Sequence, residues 1–157
     1  MSANSQNTVT TQGASIGLNY YINSNFTLTG NYSWNKLNED GTEDPIIPAY
    51  NTPEHKFNIG FSGRDLHLSS ESLPLRNYAF NINYKWVDGF QYEGSPQFTG
   101  HVPRYDVLDM QISKEIPKYS CTVKLGSSNI LNNLHYEVYG GPYIGRITYV
   151  SLLFELK

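Results

Sequence analysis

Tyr78-Ala79-Phe80-Asn81-Ile82-Asn83-Tyr84-Lys85-Trp86 alternates large apolar side chains with Ala, Asn and Lys without a break. A period of two puts Tyr78, Phe80, Ile82, Tyr84 and Trp86 on one side of an extended strand, and Ala79, Asn81, Asn83 and Lys85 on the other. Helical spacing cannot sort the residues this way. The same pattern recurs outward in both directions. Phe26, Leu28, Gly30, Tyr32 and Trp34 oppose Thr27, Thr29, Asn31, Ser33 and Asn35, and Tyr119, Cys121, Val123 and Leu125 oppose Ser120, Thr122, Lys124 and Gly126. At the C-terminal end Val150, Leu152, Phe154 and Leu156 form an apolar row against Ile147, Tyr149, Ser151, Leu153 and Glu155. An apolar row backed by a row of small polar residues is expected where one side of a sheet meets hydrocarbon and the other a wet or plugged lumen.

The chain is predicted to be all-β, an antiparallel run of transmembrane β-barrel strands near residues 13–22, 26–36, 55–63, 76–87, 104–114, 119–128 and 146–156. Asn23-Ser24-Asn25 and Pro117-Lys118 read as tight turns. Leu37 to Glu54, Asp88 to Pro103 and Asn129 to Gly145 are long connectors rich in Gly, Pro, Asn, Asp and rings. Such an alternation of long and short connectors is that of outer-membrane barrels, with loops outside and turns on the periplasmic side. Arg64 to Leu75 reads as a longer turn on that side, and residues 1–12 as the end of an extracellular loop. Residues 13–157 then form one barrel portion. About seven strands is an odd number where closed bacterial barrels are even, so a part of a larger barrel is expected.

Composition permits this. With 157 residues, 39% of them hydrophobic, and a mean hydropathy of -0.45, the chain lacks an apolar run long enough for a spanning helix. A barrel strand exposes only alternate residues to lipid, so low mean hydropathy is compatible with insertion. Aromatics reach 14%, and they fall near strand ends: Tyr20, Phe26, Tyr78, Tyr119 and Phe154 at one end, Trp34, Tyr84 and Trp86 at the other. Two girdles at the membrane surfaces are the expectation, although sheets favour these residues in general. The net charge of -3 argues against a nucleic-acid surface.

The site chemistry is sparse. Cys121, the single cysteine, sits in an apolar row as a small buried or lipid-facing residue. His55, His67, His101 and His135 show no zinc-like spacing and read as scattered solvent histidines. Asn38-Glu39-Asp40-Gly41-Thr42-Glu43-Asp44 lacks the ligand order of a calcium loop. Asp106 and Asp109, three apart on a strand, point to opposite faces, with Asp109 beside Gln111 and Ser113 and suited to hydrogen bonding a plug or a neighbouring strand. With no nucleophile elbow, phosphate loop or triad spacing, catalysis, a cofactor and a metal site are not expected. The ligand-binding candidates are loop rings set among amides and glycines, namely Phe90, Tyr92, Phe98, Tyr136, Tyr139 and Tyr143. Such rings can stack on a sugar, siderophore or peptide, or pack loop against loop. Asn81, Asn83, Lys85, Asp109, Gln111 and Lys124 are the expected lumen-facing side chains.

Four stretches carry a resemblance. They are Asn51-Thr52-Pro53-Glu54-His55-Lys56-Phe57-Asn58-Ile59-Gly60, Val102-Pro103-Arg104-Tyr105-Asp106-Val107-Leu108-Asp109, Lys124-Leu125-Gly126-Ser127-Ser128-Asn129-Ile130-Leu131-Asn132-Asn133, and Gly145-Arg146 opening the last strand. In order and spacing they resemble the closing strands of a TonB-dependent outer-membrane receptor of the kind abundant in Bacteroidota, over nearly the whole chain from Gly13. The resemblance implies a barrel of about 22 strands that imports a nutrient such as a siderophore, glycan, vitamin or peptide. It implies as partners the remainder of the barrel and its plug, outer-membrane lipid and the TonB complex through an N-terminal part not in this chain. A surface lipoprotein is a further candidate. Such barrels end on an aromatic, whereas here Phe154 is followed by Glu155-Leu156-Lys157. Met1 is not followed by a basic and then apolar leader, so a mature fragment or the downstream piece of a longer frame is expected. Two rivals stay open. One is a self-contained outer-membrane barrel of about eight strands using residues 1–11. The other is a soluble β-sandwich or lipocalin-like barrel with the apolar rows turned inward.

Overall fold

Alternating rows produce one wide sheet. The computed structural model describes residues 9–39, 50–70, 73–95 and 97–155. Its strands are β1 (Val9–Tyr21), β2 (Phe26–Glu39), β3 (His55–Ser70), β4 (Leu73–Val87), β5 (Phe90–Glu93), β6 (Thr99–Val102), β7 (Tyr105–Ile116), β8 (Cys121–Ser128) and β9 (Ile147–Phe154). Seven of these form an antiparallel sheet in the order β1-β2-β3-β4-β7-β8-β9, and β5-β6 is a separate hairpin. The all-β, antiparallel expectation therefore holds. The sheet is open, with β1 and β9 as its edges.

Register turns the separate rows into two continuous faces. Leu18 pairs with Gly30, Gly30 with Ile59, Ile59 with Tyr84, and Tyr84 with Leu108. One step along, Phe80 pairs with Ile112, Ile112 with Leu125, and Leu125 with Val150. Directly opposed residues of antiparallel strands share a face, so all seven strands present their apolar rows on the same side. Nothing among the described residues covers that side: Leu18 is 62% exposed, Leu125 51% and Leu152 59%. On the polar face Val87, Tyr105 and Val107 form a small buried cluster, while Cys121 and Ser127 are buried within the apolar rows.

Rings occupy both ends of the apolar face. Toward the turns, Phe26, Phe61 and Phe80 pack with centroids 5.3 to 6.3 Å apart. Toward the loops, Phe57 stacks on Trp86 at 5.5 Å and meets Tyr84 at 6.0 Å. Nearby, Tyr32 Oη lies 2.7 Å from His55 Nδ1 and Trp34 Nε1 donates to Glu54 at 3.3 Å. Between the two groups run Leu18, Leu28, Ile59, Ile82, Met110, Ile112, Leu125 and Val150.

The connectors differ from expectation in four places, the first being that β2 continues to Glu39, into the expected Leu37 to Glu54 connector. β1 starts at Val9, ahead of Gly13. Arg64 to Ser70 and Leu73 to Leu75 are strand rather than turn, because β3 and β4 stay paired to Ser70↔Leu73, past two register shifts between Gly63 and Leu68. Asp65 and Asn77 take positive φ there, of 52° and 61°, a backbone state that short polar side chains tolerate and one that absorbs bulges without ending the ladder. The Asp88 to Pro103 connector contains the β5-β6 hairpin, in which Phe90 pairs with Val102. The tight turns form as read. Asn23 Oδ1 accepts from the backbone N–H of Asn25 and Phe26 at 2.8 and 2.9 Å, while Pro117–Tyr119 make one 3-10 turn closed by left-handed Ser120. The N-terminal residues 1–8, the acidic tip 40–44 and Leu156 of the last apolar row lie outside the described residues.

Candidate functional site

The polar face and the loops folded onto its upper end make a cleft with side chains of both charge signs, Lys56 and Lys85 against Glu137. Asparagines set the long 129–145 loop in place. Asn129, 1% exposed and with φ of 51°, exchanges side-chain hydrogen bonds with the backbone of Asn133, each 2.9 Å long. Asp109 accepts from Ser128 Oγ at 2.7 Å and from Asn129 N at 2.9 Å. Asn133 Nδ2 donates to the carbonyl and carboxylate oxygens of Asp106 at 3.0 and 3.1 Å. Asp106 and Asp109 thus anchor one loop from opposite faces of β7.

So held, the loop turns inward over the polar face. Glu137 reaches Lys85 Nζ at 3.1 Å and accepts from Tyr105 Oη at 3.4 Å. The Tyr105 ring stacks on His135 with centroids 4.4 Å apart, and Lys85 Nζ lies 5.3 Å from its centre. The hydrogen bond from Lys85 holds the Glu137 carboxyl below its ordinary range, against the opposing effect of partial burial. His135, expected in solvent, is buried at 7% exposure because Tyr105 and Asn133 enclose it.

Below this latch lies a cleft of about 710 Å3 lined by Ser15, Asn31, Ser33, Lys56, Asn58, Lys85, Phe90, Tyr105 and Glu137 among others. Further down the same face Asn19, Asn31, Asn58 and Asn83 surround a smaller hollow, with Asn58 Nδ2 donating to Asn31 Oδ1 at 3.3 Å. Amides carry both donors and acceptors, so the surface can bind polar groups without a net field.

The residues singled out from sequence separate into three groups. Asn81, Asn83, Lys85, Asp109, Gln111 and Lys124 share the polar face by register. Among the rings, only Phe90 lines the cleft. Tyr136, Tyr139 and Phe98 interlock the loops: Tyr136 Oη donates to His101 O at 3.2 Å, the Tyr139 ring lies over Gly100, and Phe98 lies over Gly140, whose φ is 76°. A side chain at either glycine would occupy the space of the ring. Tyr143 is 70% exposed, edge-on to Tyr136, and Tyr92 is half-buried on β5.

No family model matches the chain, and no curated protein matches it. The polar face must therefore speak through its own geometry. Sequence reasoning missed Tyr105, His135 and Glu137 as a group, since they come from a strand and a loop thirty residues apart, by numbering. The cluster Asn129, Asn132 and Asn133 was a usable signal, because closely spaced asparagines close loops on their own backbone.

Proposed function

We propose that this chain is the C-terminal wall of a TonB-dependent outer-membrane receptor that imports a nutrient, with the apolar face in lipid and the polar face toward the lumen. One observation carries the reading: seven consecutive apolar rows form an uncovered face with rings at both ends, while the loops fold onto the opposite, amide-rich face. A soluble sandwich needs the reverse, its apolar face packed against a second layer. In hydrocarbon each large side chain on that face gains about 1.5–3 kcal/mol relative to water, and open edges demand further strands, because unpaired backbone is costly in lipid. The remainder of the barrel and its plug are the partners that meet this need. The wall supplies loop contacts, amides and the 710 Å3 cleft for a polar ligand such as a glycan, siderophore, vitamin or peptide, and no chemistry.

Trp34 and Trp86, the two tryptophans, both sit at the loop end of the apolar face. Brominated lipids should quench their fluorescence, more strongly with bromine near the headgroup than at the acyl terminus. Absence of quenching in a folded chain defeats the membrane reading. Purification from outer membranes should then recover the chain within a barrel that carries a plug; recovery as a lone folded monomer defeats the receptor reading alone.

A further inference from the structure

Beyond general contact with lipid, the apolar face contains a shaped feature. Along most of its rows bulky residues face one another, but the row Met110↔Ser127↔Thr148 ends in two small hydroxyl residues, and their Oγ atoms lie 3.2 Å apart, leaving each satisfied by the other. A trench of about 840 Å3 results, walled by Phe80, Ile82, Met110, Ile112 and Leu125, with Ile130 and Arg146 at its loop end. The volume is in the range of small-molecule sites.

Arg146 gives the trench a direction. Its backbone N–H donates to Asn132 Oδ1 at 3.0 Å, so the anchored loop fixes where the side chain starts. Its guanidinium makes one hydrogen bond among the described residues, a long one of 3.4 Å to Ile130 O. A guanidinium carries five N–H donors in a fork suited to phosphate oxygens. From Phe26 to Trp34, Phe57 to Gly63, Tyr78 to Trp86, Leu108 to Ile112 and Thr148 to Phe154, the residues that face the same side include no charge, and on β7 this stretch is bounded by Asp106 opposite Trp86 and Lys114 opposite Tyr78. The cation stands at the rim where a headgroup would lie, and the apolar trench runs from it toward the middle of the face.

We infer that this trench is a site for a single anionic, phosphate-bearing lipid, one acyl chain lying between Ile82 and Leu125 and the phosphate on Arg146. The inference rests on the membrane reading above; continuity of the trench with the lipid-covered face and the charge at its end select lipid over a protein segment or a free anion.

Retention can be read by native mass spectrometry of the chain within the assembly it is purified with from outer membranes, in detergent micelles doped with phosphatidylglycerol or with phosphatidylcholine. The folded chain should keep one phosphatidylglycerol in preference to phosphatidylcholine by about fivefold, the effect of one cation near a membrane surface. Arg146→Gln should erase the preference. Thr148→Leu, which fills the trench and spares the cation, should lower retention of both lipids. Equal retention by the unaltered chain, an unchanged preference in Arg146→Gln, or displacement by inorganic phosphate alone each overturns the site. If bromolipid quenching is present while the preference is absent, the site falls and the membrane reading stands; if quenching is absent as well, both fall.

Discussion

Single residues decide whether the 129–145 loop stays on the polar face. Asn129 is buried and its bond to Asp109 part-buried, whereas the Glu137 and Lys85 side chains are 49% and 35% exposed. Solvent therefore screens the Glu137–Lys85 pair, and its contribution belongs in the range of roughly 0.2–1 kcal/mol. The sign of its pH dependence follows from the lowered carboxyl. A group whose folded value lies below its unfolded value stabilises the fold above the unfolded value, near 4.5 here, and loses that contribution as pH falls through the folded one. Glu137→Gln should lower the denaturant midpoint of the micelle-folded chain slightly at neutral pH, and the gap should close in acid below the carboxylate range. A gap that persists in acid would assign the effect to packing on Tyr105 instead of charge.

At the scale of elements, the edge strand β9 depends on a contact that skips its neighbour. Tyr149 lays its ring over Gly126 of β8 and donates to Gln111 Oε1 of β7 at 2.9 Å. An added Cβ at Gly126 would meet the Tyr149 ring and force it to shift, and a ring over a glycine restores the packing that the missing side chain gives up. Gly126→Val should cost about 1–3 kcal/mol by overpacking and speed hydrogen exchange of β9 amides ahead of β7. Tyr149→Phe keeps the ring in place and should cost only about 1 kcal/mol for the lost hydrogen bond. A Gly126→Val variant as stable as the unaltered chain would refute the ring-over-glycine account. The strands themselves were legible because alternation in Tyr78 to Trp86 or Phe26 to Asn35 is a local property. The β3-β4 extension was not, as Arg64 to Leu75 carries the Ser, Asp and Pro of a turn, and Arg64 to Ser70 pairs with β4 past register shifts beside Asp65 and Asn77. The latch was illegible for a related reason: Glu137 has no pattern of its own and gains meaning only when the asparagine anchors bring it to Lys85 and Tyr105.

For the whole molecule the question is whether the apolar face meets hydrocarbon, and adjacent residues of one strand can answer it. Ile82 and Asn81 are neighbours on β4, with Met110 opposite one and Gln111 opposite the other. Ile82 stands midway between the ring groups at Phe80 and Trp86. If this face is in the bilayer, Ile82→Lys places an ammonium near the midplane and should cost about 2–4 kcal/mol, whereas Asn81→Lys enters a face that already holds Lys85 and Lys124 and should cost almost nothing. Urea unfolding of the two variants in phospholipid vesicles measures the difference directly. In a soluble sandwich both the fold and the dependence on lipid would change: Ile82→Lys would disrupt a packed interior in water, and vesicles would not alter either midpoint. A cost at Ile82 that appears only with lipid present, and none at Asn81, is what an outward apolar face requires. Equal costs at the two positions would mean that the two sides of the sheet do not meet different solvents, and the barrel-wall reading would fail with them.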